Sequence, residues 1–134
     1  MSKKLAILVE DDPIHQFLAK KHLTDLDLFD RLEIFNDGKE AYEAIQQKLD
    51  DEALLPDLIL LDLNMPIWSG WDFLEAFKAL DIKKVITIII LTSSDAEADR
   101  ILADRYGLAD HYIIKPLSRE KAQIIFDFLQ SSND

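Results

Sequence analysis

Five short runs of apolar residues, separated by segments with helical spacing, constrain the fold of this chain more than any other feature. The runs are LAILV (5–9), LEIF (32–35), DLILL (57–61), VITIIIL (85–91) and YII (112–114). Their shortness and their content of Ile, Leu and Val are typical of strands that are covered on both faces of a parallel sheet. We therefore predict five buried strands.

The segments between and after these runs carry apolar residues at the spacing of an amphipathic helix. Helices are predicted over residues 13–26, 37–49, 71–80, 95–106 and 118–130. In the first helix, the residues predicted to share one apolar face are Ile14, Leu18, Ala19, Leu23 and Leu26. Strands that alternate with helices through right-handed crossovers predict an α/β domain. Its doubly wound, five-stranded parallel sheet is predicted in the strand order 2-1-3-4-5.

Charge and composition exclude several classes of function. The chain has 134 residues, which suits one domain, and its formal net charge of -11 disfavours direct binding to nucleic acid. It has no cysteine, which excludes disulfides and thiol chemistry. The apolar run at residues 5–9 is too short for a signal peptide or a membrane span. We therefore expect a cytoplasmic protein that does not bind membranes.

Acidic residues follow the first and third runs. Glu10 and Asp11 come directly after the first run, and Asp62 comes directly after the third. In the predicted order, strands 1 and 3 are neighbours where the strand order reverses, which is where such sheets bind ligands. Carboxylates about 4 Å apart repel by about 4 kcal/mol at an effective dielectric of about 20, so a cation is expected among them. Mg²⁺, with Mn²⁺ as a possible substitute, suits a site made of oxygen ligands.

Some polar residues at strand ends are better explained as helix caps. Asp12 is a favoured N-cap residue and Pro13 a favoured first helical residue, so this pair is predicted to begin helix 1. Ser94 or Asp95 is predicted to cap helix 4 in the same way.

The fourth and fifth strands also bring polar side chains to this edge of the sheet. Thr92 ends the fourth run and is predicted to point into the crevice. Lys115 follows the fifth run, and its ammonium is predicted to pair with the carboxylates opposite it.

Four motifs at four strand ends give the chain a family resemblance. LVEDDP, LLDLNMPIWSG, ILTSS and YIIKP, in this order, resemble the receiver domain of two-component response regulators. The resemblance covers essentially the whole chain. It implies a flavodoxin-like receiver fold, and we expect residues 1–134 to form one receiver domain without an output domain.

The resemblance implies a metal-dependent phosphorylation site. Asp62 would be the phosphoryl acceptor. Mg²⁺ would be held by Asp11, by Asp62, by Glu10 largely through water, and by the backbone carbonyl of Asn64. Glu10 stands where many receivers have Asp, and its longer reach is compatible with binding through water.

The resemblance also implies how phosphorylation changes the domain. Thr92 would bind the phosphoryl group, Lys115 would neutralise it, and Tyr112 would change rotamer. The bond before Pro116 is expected to be cis, and Gly70 is expected where a side chain would obstruct the backbone.

The implied partners are proteins. A histidine kinase or a histidine phosphotransfer protein would donate the phosphoryl group. A downstream protein would bind the surface formed by helix 4, strand 5 and helix 5, which is also a candidate surface for phosphorylation-dependent homodimerisation.

Two alternatives belong to other function classes. A Mg²⁺-dependent phosphatase with an aspartyl nucleophile would also place Asp62 at a strand end, but such enzymes typically have a second Asp where this chain has Asn64. The other alternative is an interaction module that works without phosphorylation. The presence together of acidic, hydroxyl and ammonium side chains at the predicted site argues against it; these are Glu10, Asp11, Asp62, Thr92 and Lys115.

Overall fold

The apolar runs of the sequence form one five-stranded parallel sheet. The computed structural model describes residues 4–133, and over this range it contains five strands, five α-helices and one 3-10 helix. The strands are β1 (Leu5–Val9), β2 (Arg31–Phe35), β3 (Leu58–Leu61), β4 (Thr87–Thr92) and β5 (Tyr112–Ile114). The helices are α1 (Pro13–Asp25), α2 (Gly38–Gln46), α3 (Gly70–Phe77), α4 (Glu97–Arg105) and α5 (Arg119–Asn133), with the 3-10 helix at Glu52–Leu54.

The strand order is β2-β1-β3-β4-β5, and all neighbouring strands are parallel. This confirms the predicted fold class and strand order. Every residue of β1 and β3 is buried, which explains why these strands read as continuous apolar runs. β2 lies at an edge of the sheet and is only partly buried.

Two apolar layers cover the sheet, and β1 contributes to both because successive side chains of a strand point to opposite faces. Ala6 and Leu8 pack in a cluster with buried residues of α1 and α5. Ile7 and Val9 pack in a second cluster with buried residues of α2 and α3. The helices therefore cover both faces and leave the carboxyl edge of the sheet free for polar side chains.

The predicted apolar face of α1 is partly wrong. Ala19 and Leu23 are buried as predicted, but the side chain of Ile14 is 69% exposed. Nine residues at 3.6 residues per turn place Ile14 about 180° around the helix from Leu23. Ile14 therefore lies opposite the buried face.

Two predicted element starts differ from the structure by two residues. β4 begins at Thr87 instead of Val85, because Thr87 is the first residue paired with β3, opposite Leu58. Val85 precedes this pair and is 81% exposed.

α4 begins at Glu97, and its N-cap is Ala96, which makes no side-chain capping bond within residues 4–133. The prediction that Ser94 or Asp95 caps this helix is therefore wrong. The Ser94 hydroxyl instead accepts a hydrogen bond from the Ala96 backbone N–H (3.3 Å) and donates one to Asp99 (2.6 Å).

Lys84, just before β4, holds the connection from α2 to β3. Its Nζ donates to the Leu55 carbonyl (2.7 Å) and lies 3.2 Å from Oδ1 of Asp57. The other carboxylate oxygen of Asp57 accepts a hydrogen bond from the Leu5 backbone N–H (2.8 Å). These contacts fix the starts of β1 and β3 in register at the amino edge of the sheet.

Among the described helices, none is long and apolar enough to cross a membrane.

Candidate functional site: an acidic cluster with a buried lysine

Three carboxylates meet at the carboxyl edge of the sheet. The last residues of β1 and β3, Val9 and Leu61, are register partners, so the residues that follow them are neighbours. Glu10 and Asp62 are buried, with 1% and 4% exposure, whereas Asp11 is exposed. One carboxylate oxygen from each of the three residues lies within 4.8 Å of the other two. The predicted convergence of these side chains is therefore present.

Asp12 does not join the cluster, because its side chain caps α1. The carboxylate accepts hydrogen bonds from the backbone N–H groups of Ile14 (2.8 Å) and His15 (3.4 Å), and Pro13 is the first helical residue. The bond from Ile14 lowers the pKa of Asp12. The Asp12 backbone N–H in turn donates to Oε2 of Glu10 (3.1 Å), which fixes one oxygen of that carboxylate.

Lys115 lies opposite the cluster. Its backbone N–H donates to the Thr92 carbonyl (2.9 Å), which extends the β4–β5 ladder to the site. The ammonium is ion-paired with Oε1 of Glu10 and lies 3.2 Å from Oδ2 of Asp62. The Lys115 side chain is only 5% exposed, and its ammonium is shared by two buried carboxylates. The bond between Lys115 and Pro116 is cis.

The electrostatics of the cluster favour a further positive charge. Burial raises the pKa of Glu10 from 4.5 to about 7; the hydrogen bond from Lys115 opposes this rise, and the charge of Asp62 adds to it. When all three carboxylates are ionised, the single ammonium leaves two uncompensated negative charges. A divalent cation with a preference for oxygen ligands fits both this charge and this donor set.

The backbone around Asp62 depends on Gly70. Oδ1 of Asp62 accepts a hydrogen bond from the Leu63 backbone N–H (2.8 Å), and the Gly70 N–H donates to the Leu63 carbonyl (2.9 Å). A Cβ atom at Gly70 would clash with the carbonyl oxygen of Asp62 and would lie 3.0 Å from Cα of Leu63. Asn64, between Leu63 and Gly70 in the sequence, is exposed. Its role as a Mg²⁺ ligand through its backbone carbonyl stays a prediction.

Thr92 and Tyr112 are joined through Ser94. Thr92 is fully buried at the end of β4, and its Oγ1 accepts a hydrogen bond from the Ser94 backbone N–H (3.2 Å). The Tyr112 hydroxyl donates to the Ser94 carbonyl (2.6 Å), and the guanidinium carbon of Arg100 lies 4.1 Å from the centre of the Tyr112 ring. Burial and the charge of Asp99 raise the pKa of Tyr112.

Sequence reasoning missed two features near the site. Asp99 accepts hydrogen bonds from both Ser94 and Trp71, and no capping pattern or spacing rule in the sequence indicates this contact. Ile67, in the loop after β3, has a φ of 68° and is 73% exposed. A β-branched residue rarely adopts this left-handed conformation, so the sequence gives no signal of it.

Comparisons with known proteins agree on one family. The family described as the response regulator receiver domain matches residues 6–126. A probable methanogenesis regulatory protein of Methanothrix harundinacea is 31% identical over 119 residues, which are 87% of this chain and 74% of that protein. A two-component response regulator of rice is 29% identical over the same length, and the matched region spans about half of it (51%).

Solved structures have the same fold. A two-component response regulator from Cytophaga hutchinsonii has a TM-score of 0.82 at 23% identity, covering 98% of this chain and 99% of that chain. A phosphorylated cyanobacterial phytochrome response regulator has a TM-score of 0.77 at 30% identity, covering 97% and 96% of the two chains.

Proposed function

The chain belongs to the response regulator receiver family, whose members generally act in signalling, and we propose that it accepts a phosphoryl group on Asp62 and signals in response. Receiver domains in general interact with histidine kinases or phosphotransfer proteins, and a protein of this kind is the proposed donor. The observation that best supports the proposal is the buried Lys115 ammonium, which is paired with Glu10 and Asp62 at the switch point of the sheet.

The proposed reaction is transfer from a phosphorylated histidine. A carboxylate oxygen of Asp62 forms the new P–O bond, the P–N bond breaks, and the released imidazole takes up a proton. Because the nucleophile and the phosphoryl group are both negative, such a transfer depends on positioning and on charge neutralisation. The Leu63 N–H orients one oxygen of Asp62, and Lys115 neutralises charge beside the other.

The acidic cluster is the proposed Mg²⁺ site. Asp11, Asp62, the carbonyl of Asn64 and, through water, Glu10 would hold the ion, and Mn²⁺ would fit the same oxygen ligands. When bound, the cation supplies positive charge to the phosphoryl oxygens. The burial of Glu10 and Asp62 beside a single ammonium supports this assignment, because two buried carboxylates share the one positive charge of Lys115.

The proposed output begins at Thr92. A phosphoryl group adds negative charge and strong acceptors beside the Thr92 hydroxyl, which favours a position of Thr92 drawn toward Asp62. Tyr112 is linked to the same loop through Ser94, so a shift of the loop changes the environment of its ring.

The surface of α4, β5 and α5 is the proposed contact site for a downstream protein or a second copy of the chain. Ile101 on α4 and Ile124 on α5 are 47% and 46% exposed and offer apolar contacts there. A population shift between two packings of this surface would constitute the signal.

Acetyl phosphate with Mg²⁺ tests the proposal directly. Intact mass should increase by one phosphoryl group, and the increase should require Mg²⁺ and disappear in Asp62→Asn. Asp104→Asn, which removes an exposed carboxylate on α4, is the matched control and should be phosphorylated like the wild type. If the wild type forms no adduct with acetyl phosphate or with a phosphorylated histidine donor, the proposal is wrong. Continuous release of phosphate from monoesters would instead support a phosphatase.

A further inference from the structure

Ser94 is held from several sides in the loop between β4 and α4. Its backbone N–H donates to Thr92 Oγ1 (3.2 Å), and its carbonyl accepts from the Tyr112 hydroxyl (2.6 Å). Its own hydroxyl donates to Oδ2 of Asp99 at 2.6 Å, a short bond to a charged acceptor. Ser94 thus connects the proposed phosphoryl-binding threonine to the first turn of α4.

Asp99 continues this connection to α3. Its other carboxylate oxygen, Oδ1, accepts a hydrogen bond from the indole Nε1 of Trp71 (3.0 Å). Both oxygens of Asp99 are therefore used by partners from different elements, one from the β4–α4 loop and one from α3. The side chain is partly buried, which increases the strength of such bonds relative to those in water.

Trp71 contacts α4 near both of its ends. Besides the bond to Asp99, its ring stacks on that of Tyr106, the C-cap residue of α4, with ring centres 5.8 Å apart. It also packs against the small cluster of Leu63, Ile90 and Ala103, and Leu63 directly follows Asp62. A change at Asp99 is therefore expected to alter the packing of Trp71 between α3 and α4.

We propose that Asp99 is a positioning residue: with Ser94 and Trp71 it forms a clasp that restrains Thr92 and couples its position to the packing of α3 against α4. The inference rests on the proposed phosphorylation of Asp62. It adds a connection toward α3, which lies outside the proposed output surface of α4, β5 and α5.

The direction of the coupling follows from the hydrogen bonds. Ser94 is bonded to both Thr92 and Asp99, so we expect movement of Thr92 toward Asp62 to displace Ser94 and to stretch its bond to Asp99. The clasp therefore opposes the movement. Removing the clasp should strengthen binding at the phosphoryl site by about the free energy of one net hydrogen bond. This corresponds to a roughly 2- to 10-fold larger binding constant.

The first test measures binding of beryllofluoride, a phosphoryl mimic, in the presence of Mg²⁺ by calorimetry. Asp99→Ala should bind roughly 2- to 10-fold more tightly than the wild type. Asp99→Asn keeps an acceptor for Trp71 and a donor for the Ser94 hydroxyl, so it should behave like the wild type. Asp104→Ala, an exposed carboxylate on the same helix, is the matched control and should also bind like the wild type. Trp71→Phe, which removes the indole N–H donor to Asp99 together with part of the ring that stacks on Tyr106, should bind more tightly even if Asp99→Ala folds poorly.

The second test uses Trp71 as a spectroscopic probe. The chain has two tryptophans, so Trp68→Phe leaves Trp71 as the only indole. Acetyl phosphate and Mg²⁺ should shift its emission, and the shift should be absent when Asp99→Ala is added. Intact mass is recorded on the same samples.

The outcomes separate the two proposals. If no adduct forms on Asp62, the proposed function fails. If the adduct forms but Trp71 emission does not change, the clasp is not coupled to the site and the inference is wrong. Equal beryllofluoride affinity of Asp99→Ala, Trp71→Phe and Asp104→Ala would also refute it.

Discussion

The raised pKa of Glu10 predicts an unusual dependence of stability on pH. In the folded protein, burial raises this pKa from 4.5 to about 7, so the folded state binds a proton more tightly than the unfolded state. The stabilisation is fully present below the unfolded pKa and is lost as the pH rises through the folded pKa. At about 1.36 kcal/mol per pKa unit, the loss in the free energy of unfolding between pH 4.5 and 8 is on the order of 3 kcal/mol.

The measurement is urea unfolding at several pH values from 5 to 8 with a chelator present, on the wild type and on Glu10→Gln. The amide side chain that this substitution introduces does not titrate, so the difference between the two proteins isolates Glu10 from other groups. The wild type should lose stability relative to Glu10→Gln as the pH rises. Asp104→Asn, which changes an exposed carboxylate, should follow the wild type at every pH.

Addition of Mg²⁺ should reverse this trend. A bound cation favours the charged form of Glu10, so the wild type should gain most stability from Mg²⁺ above pH 7, where no proton has to be displaced. If the wild type and Glu10→Gln change in parallel between pH 5 and 8 without Mg²⁺, Glu10 does not titrate there and this account of the cluster is wrong.

Three substitutions test other parts of the site. Gly70→Ala places a Cβ against the Asp62 carbonyl; it should lower the free energy of unfolding by about 2 kcal/mol in urea titrations and slow phosphorylation by acetyl phosphate. Ile67→Asn relieves a left-handed conformation at an exposed position; it should raise the free energy of unfolding by about 1 kcal/mol, and a loss of stability would contradict the assigned strain. Lys115→Met leaves Glu10 and Asp62 without their buried partner. It should lower the free energy of unfolding by about 3 kcal/mol at pH 8 and by less at pH 6, where Glu10 is protonated. Thermal or urea unfolding at the two pH values measures the difference.

The sheet and the convergence of acids could be predicted because they depend on patterns that the sequence displays directly. Continuous apolar runs mark buried parallel strands, and the strand order places Glu10 beside Asp62. Asp12 and Pro13 begin a helix through local bonds, which are also visible in sequence. Spacing and residue type predict the strands and the cap, whereas the strand order is one of several doubly wound arrangements and does not follow from them alone.

The remaining features depend on contacts between elements. Ile14 has the residue type of a core position, but its angle around α1 relative to Leu23 leaves it exposed. The prediction for the cap of α4 is wrong because the helix begins at Glu97, after Ala96, and the Ser94 hydroxyl bonds Asp99 within the first turn. Trp71 binds that same Asp99 from α3, a contact over 28 positions that no local pattern specifies.

The Glu10 side chain is long enough to reach Lys115, so Glu10 and Asp62 compete for the same ammonium. One oxygen of Glu10 is fixed by the Asp12 N–H, and the other is paired with Lys115, which also lies 3.2 Å from Asp62. Buried Glu10 is therefore neutralised by Lys115, by a proton or by a cation. Each proton or cation that neutralises Glu10 leaves more of the Lys115 charge for Asp62 and its proposed phosphoryl group. Phosphorylation should consequently depend on pH more steeply at low Mg²⁺ than at saturating Mg²⁺, and Glu10→Gln should remove most of that difference.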